Sequence, residues 1–137
     1  MPIKTRRILL INCDRAIEEM MQLCLETISD CRVIVVNSGF EAIEKAATKQ
    51  IDAILLDLDG QMPDLSWSIL IKAFSQNPLT SSIPLVLLTS APQSQEVVRL
   101  QQTREIRDTS TASFVIVKSF DLLSLTQQIS TVLNWTE

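Results

Sequence analysis

Ile51-Asp52-Ala53-Ile54-Leu55-Leu56-Asp57-Leu58-Asp59 is the stretch on which the fold turns. Between Asp52 and Asp57 its Ile and Leu do not alternate with polar residues, so Asp52 to Leu58 reads as a strand covered on both faces. Such strands belong to parallel sheets, whose neighbours are joined by crossover connections, usually helices. Asp57 is the exception within the run. An ionised carboxyl is costly to bury without a partner, so an acid closing a stretch of Ile and Leu is either a satisfied loop cap or a working site.

The rest of the chain supplies the remaining strands and their covers. Arg7 to Ile11, Arg32 to Val36, Pro84 to Leu88 and Phe114 to Val117 are strand-like, whereas Arg15 to Ser29, Phe40 to Lys49, Leu65 to Gln76, Gln93 to Arg104 and Leu122 to Leu133 read as helices. In the first of these helices Ile17, Met20, Met21, Cys24, Leu25 and Ile28 form one apolar face, with Asp14 as N-cap. Arg107 to Ser113 lacks periodicity and reads as a mobile surface loop. Five strands alternating with five helices predict an α/β fold, an open, doubly wound parallel sheet with right-handed crossovers. In such sheets a ligand sits beyond the carboxyl ends of the strands. That rule selects Asn12-Cys13-Asp14, Asp57-Leu58-Asp59, Thr89-Ser90 and Lys118-Ser119. A carboxylate, a hydroxyl and an ammonium on one rim suit a phosphoryl group.

Composition narrows the function classes. A chain of 137 residues predicts one domain, 1–137, with a core that needs no staples and with no output domain. No apolar stretch approaches the roughly 20 residues that cross a bilayer. The net charge is -4, and no Lys/Arg cluster lies beyond the N-terminal group, which argues against nucleic acid as a direct ligand. Three cysteines without a Cys-x-x-Cys spacing, and no His at all, predict a reduced, cytoplasmic protein and exclude Ser-His-Asp and Cys-His nucleophiles. With only Gly39 and Gly60, and none after the first strand, a phosphate-cradling loop for a nucleotide or flavin is lacking. Trp67 and Trp135 read as packing or surface anchors.

The order of rim residues resembles the receiver domain of two-component response regulators over nearly the whole chain. Asp57 matches the phosphoacceptor that closes the third strand; Met62-Pro63 resembles the Met-Pro after it; Thr89 matches the hydroxyl residue ending the fourth strand; Lys118 with Phe120 resembles the Lys-Pro-Phe after the fifth. The resemblance implies a flavodoxin-like, CheY-like sheet of order 2-1-3-4-5 and a phosphoacceptor signalling domain rather than an enzyme. It implies Asp57 as nucleophile toward a phosphoryl group from a histidine kinase or phosphotransfer protein, Lys118 as electrostatic clamp and Thr89 as phosphate sensor. A downstream signalling protein, and in some members a second copy of the chain, would read the result.

Departures from the pattern are as informative. Asn12 and Cys13 stand where the family carries an acidic pair for Mg²⁺, and an amide and a thiol are poorer ligands for that hard cation. The expected site is therefore a weak one, made by Asp57 with Asp59 as a compensating carboxylate. Pro63 follows Asp57 by six residues, two more than the family's spacing, so the loop must bulge. Ser119 replaces a Pro whose bond is usually cis, and a cis bond before another residue costs about 3 kcal/mol, which predicts trans here. Val115 occupies the place of the switch aromatic, with Phe114 one residue off. Two readings stay open: a stand-alone phosphoacceptor receiver, or a pseudo-receiver that binds a protein partner without phosphorylation.

Overall fold

The computed structural model describes residues 5–11, 15–28, 31–59, 64–90, 113–117 and 122–133. In chain order these form β1 (Arg6–Ile11), α1 (Arg15–Ile28), β2 (Cys31–Val36), α2 (Gly39–Thr48), β3 (Ala53–Asp57), α3 (Trp67–Gln76), β4 (Leu85–Thr89), β5 (Ser113–Val117) and α4 (Leu122–Val132). All strand pairs are parallel, and the order is β2-β1-β3-β4-β5, as the resemblance implies. The helix expected over 93–104, the Asp14 cap and most of the 107–113 loop lie outside the described residues.

The uninterrupted apolar runs resolve into two inward faces. Leu9 and Ile11 of β1, Ile54 and Leu56 of β3, and Leu85 and Leu87 of β4 join Ala42 and Ala46 of α2 and Leu70, Ile71 and Phe74 of α3 in one cluster. Ile8, Leu10, Leu55, Val86, Leu88 and Ile116 join Met21 and Leu25 of α1 and Leu125 and Ile129 of α4 in the other. Successive side chains of a strand point to opposite faces, so Ile8–Ile11 of β1, Ala53–Leu56 of β3 and Leu85–Leu88 of β4 are apolar without a break because both faces are covered. β3 lies between β1 and β4, and its five residues are all buried.

Strand ends are set by polar groups. Asp52 precedes β3 rather than opening it: its N–H donates to Arg7 O at 2.8 Å, and its Oδ2 accepts from Arg7 N at 2.8 Å. At the sheet's β2 edge the Val33 N–H donates to Glu26 Oε2 at 3.1 Å. The α1 face differs from expectation at Met20, which is 50% exposed, because Met21 and Leu25 define the inward line. Trp67 is partly buried against the α2/α3 cluster.

Candidate functional site

The site is built where β3 and β4 end side by side. Asp57 pairs with Leu88 across the sheet, so Thr89 stands one residue beyond it on the adjacent strand. Both are polar residues only 1% exposed. Each closes an apolar run, and a polar side chain buried there calls for a polar partner.

Asp59 joins the two strand ends. Its N–H donates to Asp57 Oδ1 at 2.9 Å, while its carboxylate reaches β4: Thr89 Oγ1 donates to Oδ1 at 3.2 Å, and the Ser90 N–H donates to Oδ1 at 3.0 Å and Oδ2 at 3.1 Å. The Leu58 N–H, between them, donates to Leu88 O at 2.8 Å and continues the pairing past the strand. The structure thus brings Asp57, Asp59 and Thr89 together. Lys118, Asn12 and Cys13 lie outside the described residues, but their chain neighbours are placed: Val117 pairs with Thr89, and Ile11 with Leu56. Met62, Pro63, Ser119 and Phe120 lie outside the described residues too, as does the Phe114/Val115 side-chain arrangement.

A second anchor of the same connection lies at the amino end of α2. Asp64 Oδ1 accepts the Gly39 N–H at 2.8 Å, and Oδ2 accepts the Ser38 hydroxyl at 2.7 Å and the Phe40 N–H at 3.0 Å. The Gly39 and Phe40 N–H groups are donors that a helix start leaves without intrahelical partners, and a carboxylate there is also favoured by the helix dipole. The Phe40 and Gly39 amides and the Ser38 hydroxyl lower the Asp64 carboxyl to about 2. Ser38 in turn is the N-cap, accepting from the Glu41 N–H at 3.4 Å. Gly39 lets the following loop approach: a Cβ there would lie 2.7 Å from Leu65 Cδ1 and 2.8 Å from Leu65 Cβ. Ser38 and Glu41 have the spacing of a capping box, a signal available in the sequence. Asp64 carries no such local signal, because its partners lie 24 to 26 residues away.

For a divalent cation the described donors are few. Among the described residues no group of three or more acids or thiols converges on one point, and the Asp59 carboxylate is turned toward Thr89 and Ser90. A hard cation such as Mg²⁺ takes several oxygen ligands; of the residues expected at its site Asp57 and Asp59 are described, whereas Asn12 and Cys13 lie outside the described residues.

Known structures share the arrangement of strands and helices. The chemotaxis response regulator CheY4 of Vibrio cholerae superimposes with a TM-score of 0.73 at 22% identity, over 94% of this chain and 99% of that one. The receiver domain of the sensor histidine kinase PA1611 from Pseudomonas aeruginosa PAO1, solved with magnesium coordinated in its active-site cleft, gives 0.75 at 18% identity, over 96% and 99%. A response regulator from Chloroflexus aurantiacus gives 0.74 at 22% identity, over 96% and 99%. No curated protein matches the sequence. At these identities the structures speak for the fold; membership comes from the sequence pattern itself. The family model of the response regulator receiver domain matches residues 8–130, from the first buried residues of β1 into the last turn of α4, and the chain belongs to that family.

Proposed function

We propose that the chain is a single receiver domain of two-component signalling that accepts a phosphoryl group on Asp57. The supporting observation is the position of Asp57, almost wholly buried at the carboxyl end of the central strand and bridged through Asp59 to the Thr89 hydroxyl. A carboxylate oxygen of Asp57 attacks phosphorus; the bond from phosphorus to the donor's leaving atom breaks, and that electron pair departs with the donor. The donor is a histidine kinase or phosphotransfer protein, or a small acyl phosphate. Lys118, following the strand residue that pairs with Thr89, neutralises charge on the phosphoryl oxygens, and Thr89 donates to one of them. The protein acts in the cytoplasm as a phosphoacceptor for a downstream protein rather than as an enzyme in its own right. No helix among the described residues is long and apolar enough to cross a membrane. Asp57 and Asp59 would hold Mg²⁺, and weakly, because Asn12 and Cys13 stand where the family carries its acidic pair.

The alternative, a phosphorylation-independent interaction module, is favoured by one observation: the Asp59 carboxylate already holds Thr89 and Ser90. Intact mass after incubation with acetyl phosphate and Mg²⁺ separates the two. The phosphoacceptor reading expects one phosphoryl adduct on the wild type and none on Asp57→Ala. Absence of an adduct with donor, metal and a cognate kinase supports the alternative.

A further inference from the structure

We propose that the Asp59 carboxylate is an internal competitor for the phosphoryl group, occupying the Thr89 hydroxyl and the Ser90 N–H until a phosphoryl group on Asp57 displaces it. This inference rests on the phosphoacceptor reading and adds a control element to the same site.

The hydrogen bonds around Asp59 carry it. Three donor contacts from the end of β4 converge on one carboxylate: Thr89 Oγ1 to Oδ1 at 3.2 Å, and Ser90 N to Oδ1 at 3.0 Å and to Oδ2 at 3.1 Å. A hydroxyl and a main-chain amide aimed together at an anion make the kind of pair that also suits a phosphoryl oxygen. The same residue touches the acceptor, since its own N–H donates to Asp57 Oδ1 at 2.9 Å. Asp59 therefore bonds the acceptor through its main chain and the β4 donors through its side chain.

The two occupants exclude one another. A hydroxyl has one proton to donate, so Thr89 serves either the Asp59 carboxylate or a phosphoryl oxygen. A phosphoryl group adds close to two negative charges and three acceptor oxygens beside that carboxylate, and like charges at such range disfavour sharing the site. Asp59 has somewhere to go, because it is exposed whereas Asp57 and Thr89 are buried. No covalent bond changes at Asp59; its carboxylate leaves β4 for water as the phosphoryl oxygens take over the donors. Asp59 is in this sense a positioning residue, acting on the reaction through Thr89 and Ser90.

The test follows adduct formation on the full chain by intact mass, with acetyl phosphate and Mg²⁺ raised until the rate of each protein no longer depends on it, in the wild type, Asp59→Ala and Asp59→Asn, so that loss of a metal-holding carboxylate does not enter the comparison. Loss of the competitor should raise the rate of Asp57 adduct formation roughly tenfold in Asp59→Ala, the scale of one charge-assisted hydrogen bond net of solvation. Asp59→Asn, which loses the charge but keeps one acceptor oxygen, should fall between; if charge repulsion alone were at work the two variants would match. Hydrogen exchange at the Ser90 amide supplies a readout independent of the chemistry. In the wild type this amide is protected before and after phosphorylation, and in Asp59→Ala it exchanges quickly until the phosphoryl group arrives. Equal or slower adduct formation in Asp59→Ala, matching variants, or a Ser90 amide indifferent to the substitution overturns the inference while leaving the phosphoacceptor reading intact. If Asp59→Ala does not fold, the Asp59→Asn comparison with wild type decides by the same criteria. An adduct on none of the three proteins overturns the phosphoacceptor reading and this inference with it.

Discussion

Asp64 ties its pH dependence to the amino end of α2. Its carboxyl lies at about 2 in the folded chain against an ordinary value of 3.8, through the amides of Phe40 and Gly39 and the Ser38 hydroxyl. Between those values the unfolded chain binds the proton and the folded chain does not, so stability is retained above the upper value and lost as pH falls toward the lower. Asp64→Asn should therefore have a lower urea midpoint than the wild type near neutral pH, with the difference closing as the wild type is acidified toward pH of about 2. A constant difference across that range would mean that the charge is not what holds the helix start. At this scale the sequence was only partly legible. Asp57 and Thr89 stand out as polar residues ending apolar runs, but the bond from Thr89 to Asp59 spans 30 residues and that from Gly39 to Asp64 spans 25. Pairings that long depend on which strands are neighbours, and no local pattern encodes them.

The elements were more legible than their ends. β3 is recognisable because burial on both faces favours an unbroken apolar run, here Ala53–Leu56, and the structure ends the strand at Asp57, one residue short of the expected Leu58. Leu58 is still buried, with its N–H on Leu88 O, so hydropathy alone could not mark the boundary. β5 begins one residue early, at Ser113, since main-chain pairing with Leu85 does not need an apolar side chain. In α1 the outcome was mixed: Met21 and Leu25 are buried as expected and Met20 is half-exposed, while Leu23, outside the expected face, is 63% exposed. Two substitutions measure the contrast. Leu55→Ala, at the centre of β3 and fully buried, should cost about 2–5 kcal/mol by urea denaturation, because the tightly packed sheet cannot collapse around the lost atoms. Leu23→Ala should stay within about 0.5 kcal/mol of the wild type. Comparable losses for the two would contradict the two-layer core.

Across the whole molecule the carboxyl ends of β1, β3, β4 and β5 converge on one rim, which explains why residues dispersed in sequence could be grouped before their geometry was known. Grouping, however, does not reveal how a side chain is oriented, and the engagement of Asp59 with β4 came only from the structure. The same convergence makes metal affinity a property of several strands at once. Asn12→Asp combined with Cys13→Asp, following β1, should raise Mg²⁺ affinity by about tenfold or more in calorimetric titration, since each replaces an amide or thiol with a hard anionic oxygen. No increase would place those residues away from Asp57.

The opposite side of the sheet carries a different consequence. β2 is an edge strand, and open edges invite pairing with another chain. Here the Val33 N–H is held by Glu26 from α1, so an incoming strand would have to break a charge-assisted bond and bring its own backbone against a carboxylate. The acid on α1 thereby occupies a main-chain donor that cross-chain sheet extension at this edge would need.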